Sequence, residues 1–254
     1  MFGNKFLLDE YVDLILELDE VTKACEYNDR LYGKLLADIM LYQSQVSREY
    51  IRKSSMLTFC NGALETDSPI NIAMMNKITD TVLSGYDEFL ELMKSELSEL
   101  ETFTPSDPSD IKLTYEVYKR IGKLLHPKIN ELSLTDADLA FIWAKVTVAY
   151  ANNDWKELMF LEERAGRTLR EQGVDTSKLT MEIDERTVDR LRREVKDLKD
   201  SEDYLLGPKL LSRSWVTGER SRLLSESKAI EQMVISMEKK LRELMTSNVK
   251  MVLD

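Results

Sequence analysis

The chain has 254 residues, enough for one large or two small domains and for a core that needs no disulfide or metal. Only 9 Gly and 5 Pro interrupt it, too few turn formers for an all-β fold, so the composition predicts an all-α chain of long helices. One His and two Cys exclude a zinc cluster, no Gly-rich phosphate loop is present, and a net charge of -11 with a mean hydropathy of -0.33 opposes nucleic acid, anionic lipid and a membrane span.

The charge is uneven. Residues 1–104 carry 9 Lys/Arg against 19 Asp/Glu, residues 105–177 carry 10 against 12, and residues 178–254 carry 16 against 15. The acidic N-terminal third reads as a solvated helical surface. Met1 to Leu8 holds no apolar stretch of signal-peptide type, and two Cys without a disulfide framework fit a reducing compartment. A cytoplasmic location is therefore expected.

The first predicted element is a long helix. Leu7, Tyr11, Leu14, Leu18, Val21, Cys25, Asn28, Tyr32, Leu35, Ile39, Tyr42 and Val46 alternate spacings of three and four, as a coiled-coil seam does. Ile15, Leu16, Leu31 and Leu36 widen the stripe, which suits packing against more than one helix. Cys25 reads as a small buried apolar residue. Asn28 either fixes register through a buried amide or lies where the seam is exposed, and the second reading is preferred. A second helix is predicted over about 70–102, with Ile78, Val82, Tyr86, Phe89, Met93, Leu97 and Leu100 inward. It would fold back on the first through a loop from Asn61-Gly62 to Pro69.

Ser68-Pro69, Pro105 to Pro108 and Gly207-Pro208 read as breaks. They divide the chain into an N-terminal long-helix hairpin or coiled coil (1–104), a central module (105–177) and a C-terminal hairpin or coiled coil (178–254). In the last segment Val188, Leu191, Val195, Leu198 and Leu205 form one seam. Leu223, Ser227, Ile230, Val234, Met237, Leu241, Leu244, Asn248 and Met251 form another. Pairing within one chain or between copies would bury these seams equally, so a homo-oligomer through coiled coils is one expectation.

In the central module Asp107 is placed to cap a helix with Pro108 at its first position and Asp110 in its first turn. That helix runs to about Leu125, and the loop His126-Pro127-Lys128-Ile129-Asn130 follows. Thr135 reads as the cap of the next helix, with Asp136 and Asp138 near its positive end. Asn152-Asn153 ends it, and Asp154 with Glu157 caps a further helix through Leu161.

Tyr118-Lys119-Arg120-Ile121-Gly122-Lys123-Leu124-Leu125-His126-Pro127 resembles the second helix of the J domain, the module of co-chaperones that serve DnaK-type ATPases. Trp143-x-x-Val146-x-x-Ala149-Tyr150 is similar to the third helix of that family, and Asn130 falls where the family often has Asn. The likeness covers residues 111–151, about a sixth of the chain. It implies two antiparallel helices joined by an exposed tip, with Tyr118, Trp143 and Tyr150 as the small core between them. It departs from the family at Lys128, where the signature His-Pro-Asp has its acid, and no first helix of the usual pattern precedes it.

Lys112, Lys119, Arg120, Lys123 and Lys128 face a single acid, Glu116, between residues 112 and 128. With His126 and Pro127 these cations are the candidate partner-binding set, since the resemblance implies docking of this helix on an acidic protein surface. The same Lys and Arg also read as an ordinary solvated surface, and His126 as a cap on the last carbonyls of its helix. No acid and nucleophile stand at recognisable spacing from His126, so neither catalysis nor a cofactor is expected. The sequence thus predicts a non-enzymatic interaction protein, a J-like co-chaperone or adaptor that does not stimulate its ATPase. The alternative is a coiled-coil scaffold without a chaperone link.

Overall fold

A computed structural model describes residues 2–174, 183–246 and 251–252 of the chain. Among them the order is α1 (Phe2–Glu65), β1 (Ile70–Asn71), α2 (Ile72–Thr102), α3 (Pro108–Leu125), α4 (Leu132–Thr135), α5 (Ala137–Ala151), α6 (Trp155–Glu171), α7 (Glu185–Lys199), α8 (Glu202–Leu210), α9 (Arg213–Thr246) and β2 (Met251–Val252). The all-α class expected from composition is the one found, the short parallel pair β1 and β2 being the only strands among the described residues. No described helix is long and apolar enough to cross a membrane.

The chain forms two compact units, residues 1–29 with 104–208 and residues 30–103 with 209–254. This division differs from three consecutive segments because α1 contributes to both units. In the first unit one continuous core gathers Leu14 to Val21 of α1, Val117 to Leu125 of α3, and apolar residues of α5, α6 and α7. Leu16, Ile121, Ile142, Leu158 and Leu161 are completely buried there. At Gly122 a side chain would collide with Leu16, which marks a close approach of α3 to α1.

The caps follow the sequence closely. Asp107 accepts from the Ser109 N–H with Pro108 in the first turn, and Asp154 accepts from the Glu157 N–H. The cap of α5 is Asp136, which accepts from the Asp138 and Leu139 N–H groups. Thr135 instead closes the short α4, so the expected cap lies one residue early. Asn153 adopts a left-handed φ of 55° after α5, a conformation that Asn tolerates better than most residues.

Gly207-Pro208 is not the expected break: Pro208 lies inside α8. Proline has no N–H, so the carbonyl of Tyr204, four residues back, loses its helical donor. Asn28 supplies one from α1. Its amide is buried and donates to the Asp203 carbonyl at 2.9 Å and the Tyr204 carbonyl at 3.4 Å. A side chain at Gly207 would strike that amide. Asn28 therefore has the buried, specifying role, not the exposed one expected; Asn248 lies outside the described residues.

In the second unit α1 is antiparallel to α2 and parallel to α9. Lys34 donates to the Leu100 carbonyl and Tyr86 to the Ser44 carbonyl, while Arg48 pairs with Asp87. Tyr32 meets Glu219 and Tyr42 meets Glu231 on α9. Two small cores result, one of Cys60, Ile70, Met75 and Leu241, the other of Leu36, Ile39 and Leu223. Leu223, Ser227 and Leu241 of the predicted α9 seam are buried, and Gly218 lies in the helix interior.

Two expectations here need correction. α1 continues through Asn61-Gly62 to Glu65, so the reversal occupies only the residues up to Pro69. Of the expected inner face of α2, Tyr86, Met93, Leu97 and Leu100 are half-buried and Tyr86 reaches α1, but Ile78, Val82 and Phe89 are exposed, and Met75, Thr79, Leu83 and Leu90 are the residues buried there. α2 carries two apolar stripes about one residue apart, and periodicity alone does not say which faces inward.

Candidate docking face

α3 and α5 are antiparallel. The Tyr118 and Tyr150 rings stack with centroids 3.7 Å apart, Trp143 lies 6.0 Å from Tyr118, and His126 meets Trp143 edge-on at 5.2 Å. The three aromatics expected to share a core do so.

The connecting tip is tightly bonded. The Ile129 and Asn130 N–H groups donate to the His126 carbonyl, and the Lys128 N–H donates to His126 Nδ1 at 3.1 Å. The Asn130 amide donates to the Leu124 carbonyl and its oxygen accepts from the Leu132 N–H, so this residue closes α3 and starts α4. Tyr11 of α1 donates to the Lys128 carbonyl.

The imidazole is not displayed at the tip. His126 is only 7% exposed, and its Nε2 faces Asp19 of α1 at 3.4 Å. With Nδ1 accepting from Lys128, the neutral ring carries its proton on Nε2, toward that carboxylate. The same Asp19 oxygen accepts from the Tyr118 hydroxyl at 2.7 Å. Burial, and then the Asp19 carboxylate, hold that hydroxyl well above the ordinary tyrosine range.

The predicted cations divide into two groups. Lys119 and Lys123 approach Asp13 of α1 at 3.6 and 3.2 Å, and Arg120 makes a two-pronged pair with Glu162 of α6. Lys112 and Lys128 are exposed, and Pro127 is partly so. All of the paired cations are themselves at least 40% exposed. Ion pairs of that kind contribute about 0–1 kcal/mol each, so they exchange readily for other acids.

Sequence reasoning missed Asp13, Asp19 and Lys23. They lie on the α1 face that reads as solvated surface, and their partners are about a hundred residues away. Lys23 donates to Asn153 Oδ1 at 2.6 Å and sits 3.8 Å from the Tyr150 ring centre, and its burial lowers its pKa to about 8. No group of His, Cys, Asp or Glu among the described residues is arranged to hold a metal ion. Compared with family models, curated proteins and solved structures, the chain matches none.

Proposed function

We propose that the chain is a non-enzymatic protein–protein interaction protein whose J-like helical pair is an adaptor for an acidic protein surface. The partner class suggested by the resemblance is a DnaK-type ATPase, which the chain would engage without stimulating hydrolysis. The observation that carries this reading is the division at the tip. The cations of α3 stay exposed in exchangeable pairs, while the His126 ring is turned inward onto Asp19 and Lys128 points a positive charge outward. Binding and coupling are thereby separated. In the family the position of Lys128 holds an acid that meets a basic group, and losing one member of such a pair costs about 2–5 kcal/mol. Since about 1.4 kcal/mol is tenfold, stimulation by the family mechanism falls at least tens-fold.

The test has two arms. A pull-down with a DnaK-type ATPase measures binding, and single-turnover ATP hydrolysis measures coupling. Binding without acceleration is expected. Acceleration by the wild-type chain contradicts the reading of Lys128 and His126. Absence of binding removes the chaperone link and leaves the second reading, a coiled-coil scaffold. That alternative draws on the pairing of Lys119, Lys123 and Arg120 with acids of the same chain.

A further inference from the structure

The outer stripe of α2 carries an inference that does not depend on the J-like reading. Met74, Ile78, Val82, Phe89 and Leu92 are all 40% or more exposed, and Gly85 between them borders open space. From Ile78 onward the spacing through Gly85 to Leu92 is four, three, four and three, the repeat of a coiled-coil seam. The neighbouring stripe of the same helix, one residue further along, already serves the core of its unit. α2 is thus a helix with two seams, one filled and one open, and the open one runs for about five turns.

We propose that this stripe is a self-association surface, occupied by α2 of a second copy running antiparallel across a two-fold axis. Such an interface must be complementary to its own reverse, and this stripe is. An antiparallel register that sets Ile78 against Phe89 as an apolar pair also sets Val82 opposite Gly85, whose open space leaves Val82 room. Met74 and Leu92 then close the two ends. Charge selects the direction. Residues 72–85 hold one Lys and one Asp, whereas residues 86–102 hold six acids and one Lys. Parallel pairing in register stacks Glu88 on Glu88 and Glu91 on Glu91. Antiparallel pairing sets the acidic half against the neutral half and brings Lys77 of one copy within a turn of Glu88 and Glu91 of the other.

The contact is at the small end of specific interfaces, so the dimer dissociates on dilution. Sedimentation velocity of the full chain, from submicromolar to high micromolar concentration, should show a shift from 29.4 kDa to twice that mass. Phe89→Glu should abolish the shift, with circular dichroism unchanged because the side chain lies outside the core. Lys77→Glu should weaken the dimer, and Glu88→Lys with Glu91→Lys should restore it in the Lys77→Glu background. Under mild oxidation, a mixture of Ile78→Cys and Phe89→Cys chains should give a cross-link between positions 78 and 89, assigned by peptide mapping. A monomer at every concentration overturns the proposal. So does a dimer indifferent to Phe89→Glu, or a 78-to-78 cross-link formed by Ile78→Cys alone.

Discussion

Asn28→Ala isolates the contact that lets a proline sit inside α8. The substitution removes a buried amide whose donor serves the Asp203 carbonyl at 2.9 Å and the Tyr204 carbonyl at 3.4 Å. The two bonds are only partly buried and Asp203 is an exposed residue, so water offsets part of the penalty; with the small cavity added, a loss of about 1–2 kcal/mol is expected. Part of that loss traces to Pro208. In a Pro208→Ala background residue 208 regains an N–H for the Tyr204 carbonyl, and Asn28→Ala should then cost less by roughly 0.5–1 kcal/mol. Urea denaturation of the wild type, both single variants and the double variant yields the coupling directly, provided the slope with denaturant stays constant. Equal costs of Asn28→Ala in the two backgrounds would refute the assignment of the amide to the proline gap. A cost under about 0.5 kcal/mol would refute its structural role altogether.

Two further predictions concern the first unit. Gly122→Ala drives a methyl group into a Leu16 methyl and should destabilise by about 1–3 kcal/mol. Adding Leu16→Ala should recover the Gly122→Ala increment in thermal denaturation, although Leu16→Ala is costly alone. Lys23 predicts a rise of stability with pH. Its folded pKa of about 8 lies below the ordinary lysine value of 10.5, so between those values the unfolded chain holds a proton that the folded chain has shed. Its contribution is fully present above the higher value and lost as pH falls through the lower one. Allowing for partial hydration, the gain is about 1–2 kcal/mol, and urea midpoints of Lys23→Met against wild type between about pH 7 and 9.5 should show the slope only in the wild type.

Much of the fold was legible because helix needs only local information. The three-and-four spacing of α1 marked Tyr11, Leu14, Leu18 and Val21, all buried, and the Asp107 and Asp154 caps lie where side-chain chemistry requires them. What was hidden depends on partners distant in sequence. Pro208 reads as a break until Asn28 is seen to supply the missing donor. The acids of α1 read as solvated until Asp13 and Asp19 are seen beside Lys123 and His126. The inner face of α2 is legible only in part: Tyr86, Met93, Leu97 and Leu100 lie inward as their spacing suggests, but in the first half of the helix two stripes share one period, and only the packing of Met75 and Leu83 distinguishes them. Around the tip, the aromatic core of Tyr118, Trp143 and Tyr150 was legible. The inward turn of His126 was not, since it is set by a carboxylate on another helix.

The central proposal is that α3 docks through its cations while the tip, with Lys128 where the J-domain family has an acid and His126 buried against Asp19, does not couple to hydrolysis. It is tested most directly by single-turnover ATP hydrolysis on a DnaK-type ATPase, with the wild-type chain and with Lys128→Asp. Neither should accelerate hydrolysis, because restoring the acid leaves His126 held against Asp19. Acceleration by the wild type, or full recovery by Lys128→Asp alone, would contradict the claim.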